Sequence, residues 1–480
     1  MNQARISPPD CNLQKKGGYV VYWMQQTQRV DANHALNEAL RVANAAGKPL
    51  CAIFVLSDRI PEANMRHFRF MLEGLAKTAQ KLNEHGIRLH LFAGDPVQMI
   101  PRITSGRALV VADRGYLHWQ REWRRALKEE LPTGMICEVE SDVIVPVETA
   151  SAKEEYSAAT LRRKILRHLT DFLESEPLPA FELKKPAPLE TPPDIPHLLF
   201  KPGMKGKEFI AFARENLDID SGVPPTEFFK GGYDEAREHL DLFLERRLHL
   251  YAEKRNEPSL DIQSDLSPYL HFGQISALEI ALKVLDYAGI PAYDAAGLIQ
   301  DKSNLDPLQA GVASFLEELI IRRELSCNFC FYNEEYDNFK CVPLWARKTL
   351  NDHLHDARPY DYSLEELETG RTDDPFWNAA QQEMLKTGKM HNYMRMYWGK
   401  KLIEWIPEPE TAFGLMLYLN NKYQLDGRDP NSYAGVAWCF GKHDRPWQER
   451  DIFGKVRYMN ANGLKRKFDM PGYLEKVRGL

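Results

Sequence analysis

Leu425-Asp-Gly-Arg-Asp-Pro-Asn-Ser-Tyr-Ala-Gly-Val-Ala-Trp438 gathers acids, an Arg, a Pro, two glycines and a Trp into one turn-rich run. Gly and Pro form turns for backbone reasons, and Asp, Asn and Arg beside them offer directional hydrogen bonds. Such a run is either a well-capped surface loop or the polar wall of a binding site. Two distant segments are built in the same manner: Ser264-Asp-Leu-Ser-Pro-Tyr-Leu-His-Phe-Gly273 and Thr387-Gly-Lys-Met-His-Asn-Tyr-Met-Arg-Met-Tyr-Trp398. In the first, Ser264 and Ser267 flank Pro268; Pro suits the first turn of a helix and Ser suits its cap. A helix start carrying hydroxyls also attracts phosphate, so capping and phosphate binding are both open on residue chemistry alone.

Outward from these segments, the chain divides into two kinds of pattern. Tyr19–Met24, Leu50–Leu56, Arg88–Ala93 and Ala108–Asp113 are apolar, β-rich runs separated by periodic segments such as Phe68–Leu82. That alternation predicts βαβ units and a Rossmann-like parallel sheet ending near Val145. No GxGxxG follows the first strand, so the dinucleotide fingerprint is absent. Residues 176–206 are Pro-rich and polar and read as a linker. From about Phe228 the periodicity is helical almost throughout, in Leu240–Leu250, Leu278–Leu285, Val312–Glu324 and Met390–Trp405. The expected layout is an α/β domain over 1–150, a linker over 151–225 and an all-α domain over 226–480.

With 480 residues, 44% hydrophobic and 27% charged, the chain is globular. No apolar run would cross a bilayer and MNQARISPPD lacks a signal-peptide core. The expectation is a cytoplasmic protein, or a nuclear or organellar one in a eukaryote. Seven thinly spread cysteines fit reduced thiols, and Cys327, Cys330 and Cys341 lack a fourth partner for zinc, so no metal site is expected. A net charge of −6 argues against coating nucleic acid through bulk charge. Locally, residues 442–467 hold eight Lys or Arg against three acids, a balance of +5, with Trp447, Phe453 and Tyr458 interleaved. Basic plus aromatic fits a nucleic-acid face, and a solvated surface is the alternative.

The three polar segments together resemble the photolyase/cryptochrome family, closest to the class II cyclobutane pyrimidine dimer photolyases. The resemblance implies an α/β domain, a linker and a helical domain that binds FAD. It implies that Ser264, Asp265, Leu266 and Ser267 wrap the FAD pyrophosphate with Tyr251 upstream, and that Asn392, Arg395, Asp426 and Asp429 complete the pocket. Arg395 and Asp426 align with a pair held against the flavin ring, which suits a reduced, anionic flavin. Asn420 is the match for an Asn near flavin N5, with Asn421 as its rival. Arg428 stands where class I members carry Asp, which favours Asp426 over Asp429.

For the substrate, the resemblance implies a Glu contacting the pyrimidine carbonyls: Glu317 by class II spacing, Glu318 by class I spacing, with Glu317 favoured. An i, i+4 salt bridge from Glu318 to Arg322 is the bland alternative. The usual stacking Trp of this helix aligns with Ile321, leaving Met396 and Trp438 as pocket walls. The partner the resemblance implies is UV-damaged DNA with the dimer flipped out; Arg445, Trp447 and Arg450 are candidates to hold the strand or fill the gap, and the expected state is a monomer. Trp377, Trp398 and Trp405 match the class II electron-transfer chain, while Lys389 breaks the class I path; as residues alone all three also fit core aromatics. A second antenna chromophore of deazaflavin, folate or flavin type is implied for the α/β domain. The function expected is light-driven dimer repair. The alternatives are a (6-4) photolyase, whose two His positions are here Asn392 and Met396, and a cryptochrome-like photoreceptor, whose long tail would have to follow Leu480.

Overall fold

Val20, Val21, Tyr22 and Trp23 are buried on both faces of a strand, as expected where helices cover a parallel sheet on both sides. In a computed structural model, which describes residues 2–7, 18–182 and 185–480, this strand lies at the centre of a seven-stranded sheet. Its strands are β1 (Ile6–Ser7), β2 (Tyr19–Trp23), β3 (Leu50–Leu56), β4 (Leu89–Ala93), β5 (Ala108–Asp113), β6 (Ile136–Val139) and β7 (His197–Leu199), in the order β1-β6-β5-β2-β3-β4-β7. The five inner strands are parallel, and β1 and β7 close the edges antiparallel, with Ile6 opposite Val139 and Phe92 opposite His197. Helices α1 (His34–Ala46), α2 (Met65–Glu84), α3 (Pro96–Thr104) and α4 (His118–Glu130) fill the connections. The strand order reverses at β2, so the carboxyl ends of β2 and β5 open a crevice there.

Two expectations change. The sheet does not end near Val145, because the Pro-rich segment returns to it as β7. Nor is 151–225 merely a linker. Ala158–Phe172 buries Leu161, Ile165 and Leu169 in the core of the helical part, and Gly206–Asn216 buries Phe209 and Phe212 with residues of α2. Irregular chain is confined to stretches such as 173–182 and 185–192. The reading of the first ten residues and of the Pro-rich stretch falls partly on 1, 8–10 and 183–184, and Cys11 with it, outside the described residues. The six described cysteines are free and buried. No helix among the described residues is long and apolar enough to cross a membrane.

The sheet's carboxyl edge grips the helical part. Arg66, at the start of α2, donates to the carbonyls of Met384 (3.1 Å), Tyr423 (2.7 Å), Leu385 (2.6 Å) and Pro224 (3.0 Å). Burial lowers this guanidinium to about 10. Arg29 donates to the carbonyl of Gly273 at 3.0 Å. Gly273 has φ 64, and a Cβ there would lie 1.8 Å from the Gln26 carbonyl, so only glycine fits. Gly273 ends the first polar segment read above, and Met384, Leu385 and Tyr423 lie two or three residues before the other two.

Candidate active site

The three segments converge on one cavity of about 450 Å³ in the helical part. Ser264, Asp265, Leu266 and Ser267 form one wall with Tyr251 from Leu248–Lys254. Helix Asn392–Trp405 contributes Asn392, Arg395, Met396 and Trp398. Asn420 comes from Pro409–Tyr423, Asp426 and Asp429 from the following turn, and Trp438 from Pro430–Cys439. Asn421 faces away: its side chain accepts from the Arg428 N–H at 2.9 Å and lies 3.4 Å from Glu62.

The 425–429 turn is tight because Gly427 lies against Asn421, whose Cα and carbonyl would each be 2.8 Å from an added Cβ. Arg428 follows at φ 65, with its guanidinium on the Asn421 carbonyl and 3.3 Å from His67, outside the cavity. Asp426 is left facing inward, and one Arg395 nitrogen donates to both of its oxygens at 2.9 Å. Asp429 caps the next helix through the Asn431 N–H at 2.9 Å and meets His271 at 3.3 Å. Burial raises the Asp429 carboxyl, but His271, the charge of Arg323 and the Asn431 N–H together outweigh it and hold the group below the usual carboxylate range.

Neither serine of the first segment is a helix cap: helix Ser267–His271 has Leu266 at its cap position, and no side chain caps it. Asp265 adopts φ 59 and joins Arg247 (2.8 Å) to Lys389. Its burial pushes the carboxyl up, and these two cations reverse the shift to leave it lowered. Tyr251 is pushed up to about 12 by burial and then by the charge of Glu318.

Helix Pro307–Leu316 widens into a π-turn over Glu317–Arg322 before Arg323–Tyr332 continues it. Such insertions redirect side chains and occur often at functional sites. The two consecutive glutamates face different sides of this turn, and the one on the cavity is Glu318, whereas the expectation favoured Glu317. Glu317 is buried outside the cavity and accepts from Arg162 Nε at 2.9 Å. Glu318 lines the cavity and pairs with Arg255 at 2.6 Å. The alternative, a Glu318–Arg322 bridge, does not form: Arg322 lies 3.7 Å from Glu317 instead. Ile321 is fully buried in the core and offers no pocket wall; Arg322 does, 5.5 Å over the Trp438 ring. Arg255 and Arg322 escaped the sequence reading. Arg255 could have been found, because it lies one turn beyond Tyr251; Arg322 could not, because it reaches the cavity through the π-turn.

Trp398 touches the cavity, Trp377 stacks on it at 6.1 Å, and Trp405 meets Trp377 edge-on at 5.3 Å. Trp377 Nε1 donates to the Trp398 carbonyl at 3.0 Å, which fixes the stack. Beyond the cavity rim at His443, Arg445, Trp447 and Arg450 lie on an exposed loop. Arg445 (5.9 Å) and Arg457 (5.0 Å) sit over Trp447, and Arg450 sits 4.2 Å over Tyr458. A second, apolar cavity opens at the carboxyl ends of β2 and β3, between Phe54, Trp119, Trp123 and Phe272.

Residues 20–185 match the family described as DNA photolyase. A deoxyribodipyrimidine photo-lyase of Methanothermobacter thermautotrophicus is 46% identical, over 97% of this chain and 96% of its own. One from Potorous tridactylus is 38% identical, over 99% of this chain and 84% of its own. A solved archaeal photolyase from Sulfolobus tokodaii, described with two FAD molecules, superposes with a TM-score of 0.68 at 15% identity, covering 95% of this chain and 89% of that one.

Proposed function

Since the chain belongs to the DNA photolyase family, we propose that it is a class II cyclobutane pyrimidine dimer photolyase, in which residues 226–480 hold FAD and a dimer flipped out of DNA in one cavity. The carrying observation is that this cavity joins the Arg395–Asp426 pair and Trp398 to Glu318 and Trp438. The donor set fits FAD: the Ser264 and Ser267 hydroxyls are not used as caps, Lys389 adds positive charge, and a carboxylate–guanidinium pair matches a flavin edge. When bound in its reduced form, FAD would supply, on excitation by blue or near-UV light, the electron that splits the dimer and returns to it afterwards.

The protein's own residues orient and stabilise. Arg395 and Asp426 would hold the flavin ring by charge-assisted hydrogen bonds, and Asn420, on the same cavity wall, would face its reactive edge. The Glu318–Arg255 pair meets the pyrimidine edge, where the carboxylate accepts from a ring N–H and the guanidinium donates to a carbonyl. Trp438 and Met396 supply the apolar faces. Trp398, Trp377 and Trp405 carry electrons inward. Arg445, Trp447 and Arg450 hold the strand around the gap, in a complex with a monomer. Residues 1–150, with the returning strand β7, form an antenna-type domain; a second chromophore of deazaflavin, folate or flavin type would be held in the apolar cavity at the sheet's carboxyl edge. Residues 151–225 connect the two.

The proposal is tested by illuminating the protein with oligonucleotides carrying either a cyclobutane dimer or a (6-4) photoproduct. The expected outcome is restoration of the cyclobutane dimer alone, and only in light. Restoration of the (6-4) product, or of neither, contradicts it.

A further inference from the structure

Five cations face the cavity: Arg255, Arg322, Arg323, Lys389 and Arg395. Four are engaged by carboxylates: Arg255 by Glu318 (2.6 Å), Arg323 by Asp142 (2.5 Å), Lys389 by Asp265 and Arg395 by Asp426 (2.9 Å). Arg322 differs. Its nearest carboxylate oxygen, on Glu317, is 3.7 Å away, beyond hydrogen-bond distance, and Glu317 is already held by Arg162. Its Nε is buried without a hydrogen-bond partner. A guanidinium carries five donors in a planar fork, and a buried donor left unmatched is costly. The Arg322 Cζ lies 5.5 Å from the centroid of the Trp438 ring, and Trp438 is itself 36% exposed at the mouth. The π-turn at 317–322 brings Arg322 here while Ile321 turns into the core.

We infer that Arg322 determines specificity in the dimer pocket, its free donors meeting the carbonyl oxygens of the flipped pyrimidine dimer beside Trp438. This rests on the reading of the cavity given above. A cyclobutane dimer presents the carbonyls of two adjoining rings on one edge, and a planar fork suits such a pair of acceptors. Flat faces of base, guanidinium and indole stack in the same space. A phosphate of the backbone would satisfy the same donors, and the test separates the two.

Full-length FAD-loaded protein is titrated in the dark with two single-stranded oligonucleotides of one sequence, with and without the dimer. Parent, Arg322→Met and Arg322→Lys are compared. Arg322→Met should weaken binding of the dimer-bearing strand on the order of tenfold or more, the usual scale for a charged hydrogen bond, and leave the undamaged strand unchanged. Arg322→Lys should recover only part of the loss, because it lacks the fork; it also controls for folding, as does FAD content. Equal weakening on both strands would assign Arg322 to the phosphates and overturn the inference, as would no weakening on either. A parent protein that fails to restore the dimer in light would remove the underlying reading instead; that failure is seen separately, because the titrations are made in the dark.

Discussion

Trp377 is fully buried, stacked 6.1 Å from Trp398 on the cavity side and edge-on 5.3 Å from Trp405 on the other. A Phe at any of these positions keeps the aromatic fill and most of the packing. Light-driven reduction of oxidised FAD is therefore expected to fall sharply in Trp377→Phe, Trp398→Phe and Trp405→Phe. Repair by chemically pre-reduced protein should persist, since none of the three touches the dimer. Flavin absorption during illumination checks this, and parent-rate reduction in all three variants would return them to the role of core aromatics. These residues were legible because Trp398 and Trp405 lie seven apart on one helix and so share a face. Asn420 against Asn421 was not legible. Adjacent asparagines differ only in which way each side chain leaves the helix, and the fold turns Asn420 to the cavity while Asn421 accepts from the Arg428 N–H.

The π-turn at 317–322 is the element on which the substrate side depends. A helix read at 3.6 residues per turn puts consecutive glutamates about 100° apart but does not say which of them faces the pocket, so Glu317 was favoured over Glu318, the one that lines the cavity. The two carboxyls now have separable roles. Glu317→Gln loosens a pair whose carboxylate is 7% exposed and whose Arg162 partner is 30% exposed. It should lower stability by about 1–3 kcal/mol and leave repair yield per folded molecule intact. Glu318→Gln, at the cavity wall, should melt near the parent and lose repair yield. Thermal melts beside repair quantum yields check the pair, and the reverse pattern would restore Glu317 to the pocket. Strands β2 to β5 were legible from their β-branched, aromatic runs. β7 was not, because a three-residue edge strand inside a Pro-rich stretch has too little pattern to read. In Ala158–Phe172 the signal was present, with Leu161, Ile165 and Leu169 four apart, but the polar composition around it masked it.

Across the whole molecule, the α/β part does more than sit beside the helical part. From the carboxyl edge of the sheet, Arg29 and the close approach at Gly273 hold the end of one pocket segment, and Arg66 holds the chain just before the other two. No local pattern announces such contacts, since they join residues hundreds of positions apart. The pocket's polar segments, by contrast, were legible because each needs its glycines, prolines and acids within a few residues. The central claim is that one cavity holds reduced FAD close enough to pass an electron to a bound dimer. It is tested most directly by the excited-state lifetime of reduced flavin in the loaded protein, with a dimer-bearing and an undamaged oligonucleotide at saturation. The lifetime is predicted to shorten only with the dimer-bearing strand; equal lifetimes with both strands, under demonstrated saturation, would contradict the account.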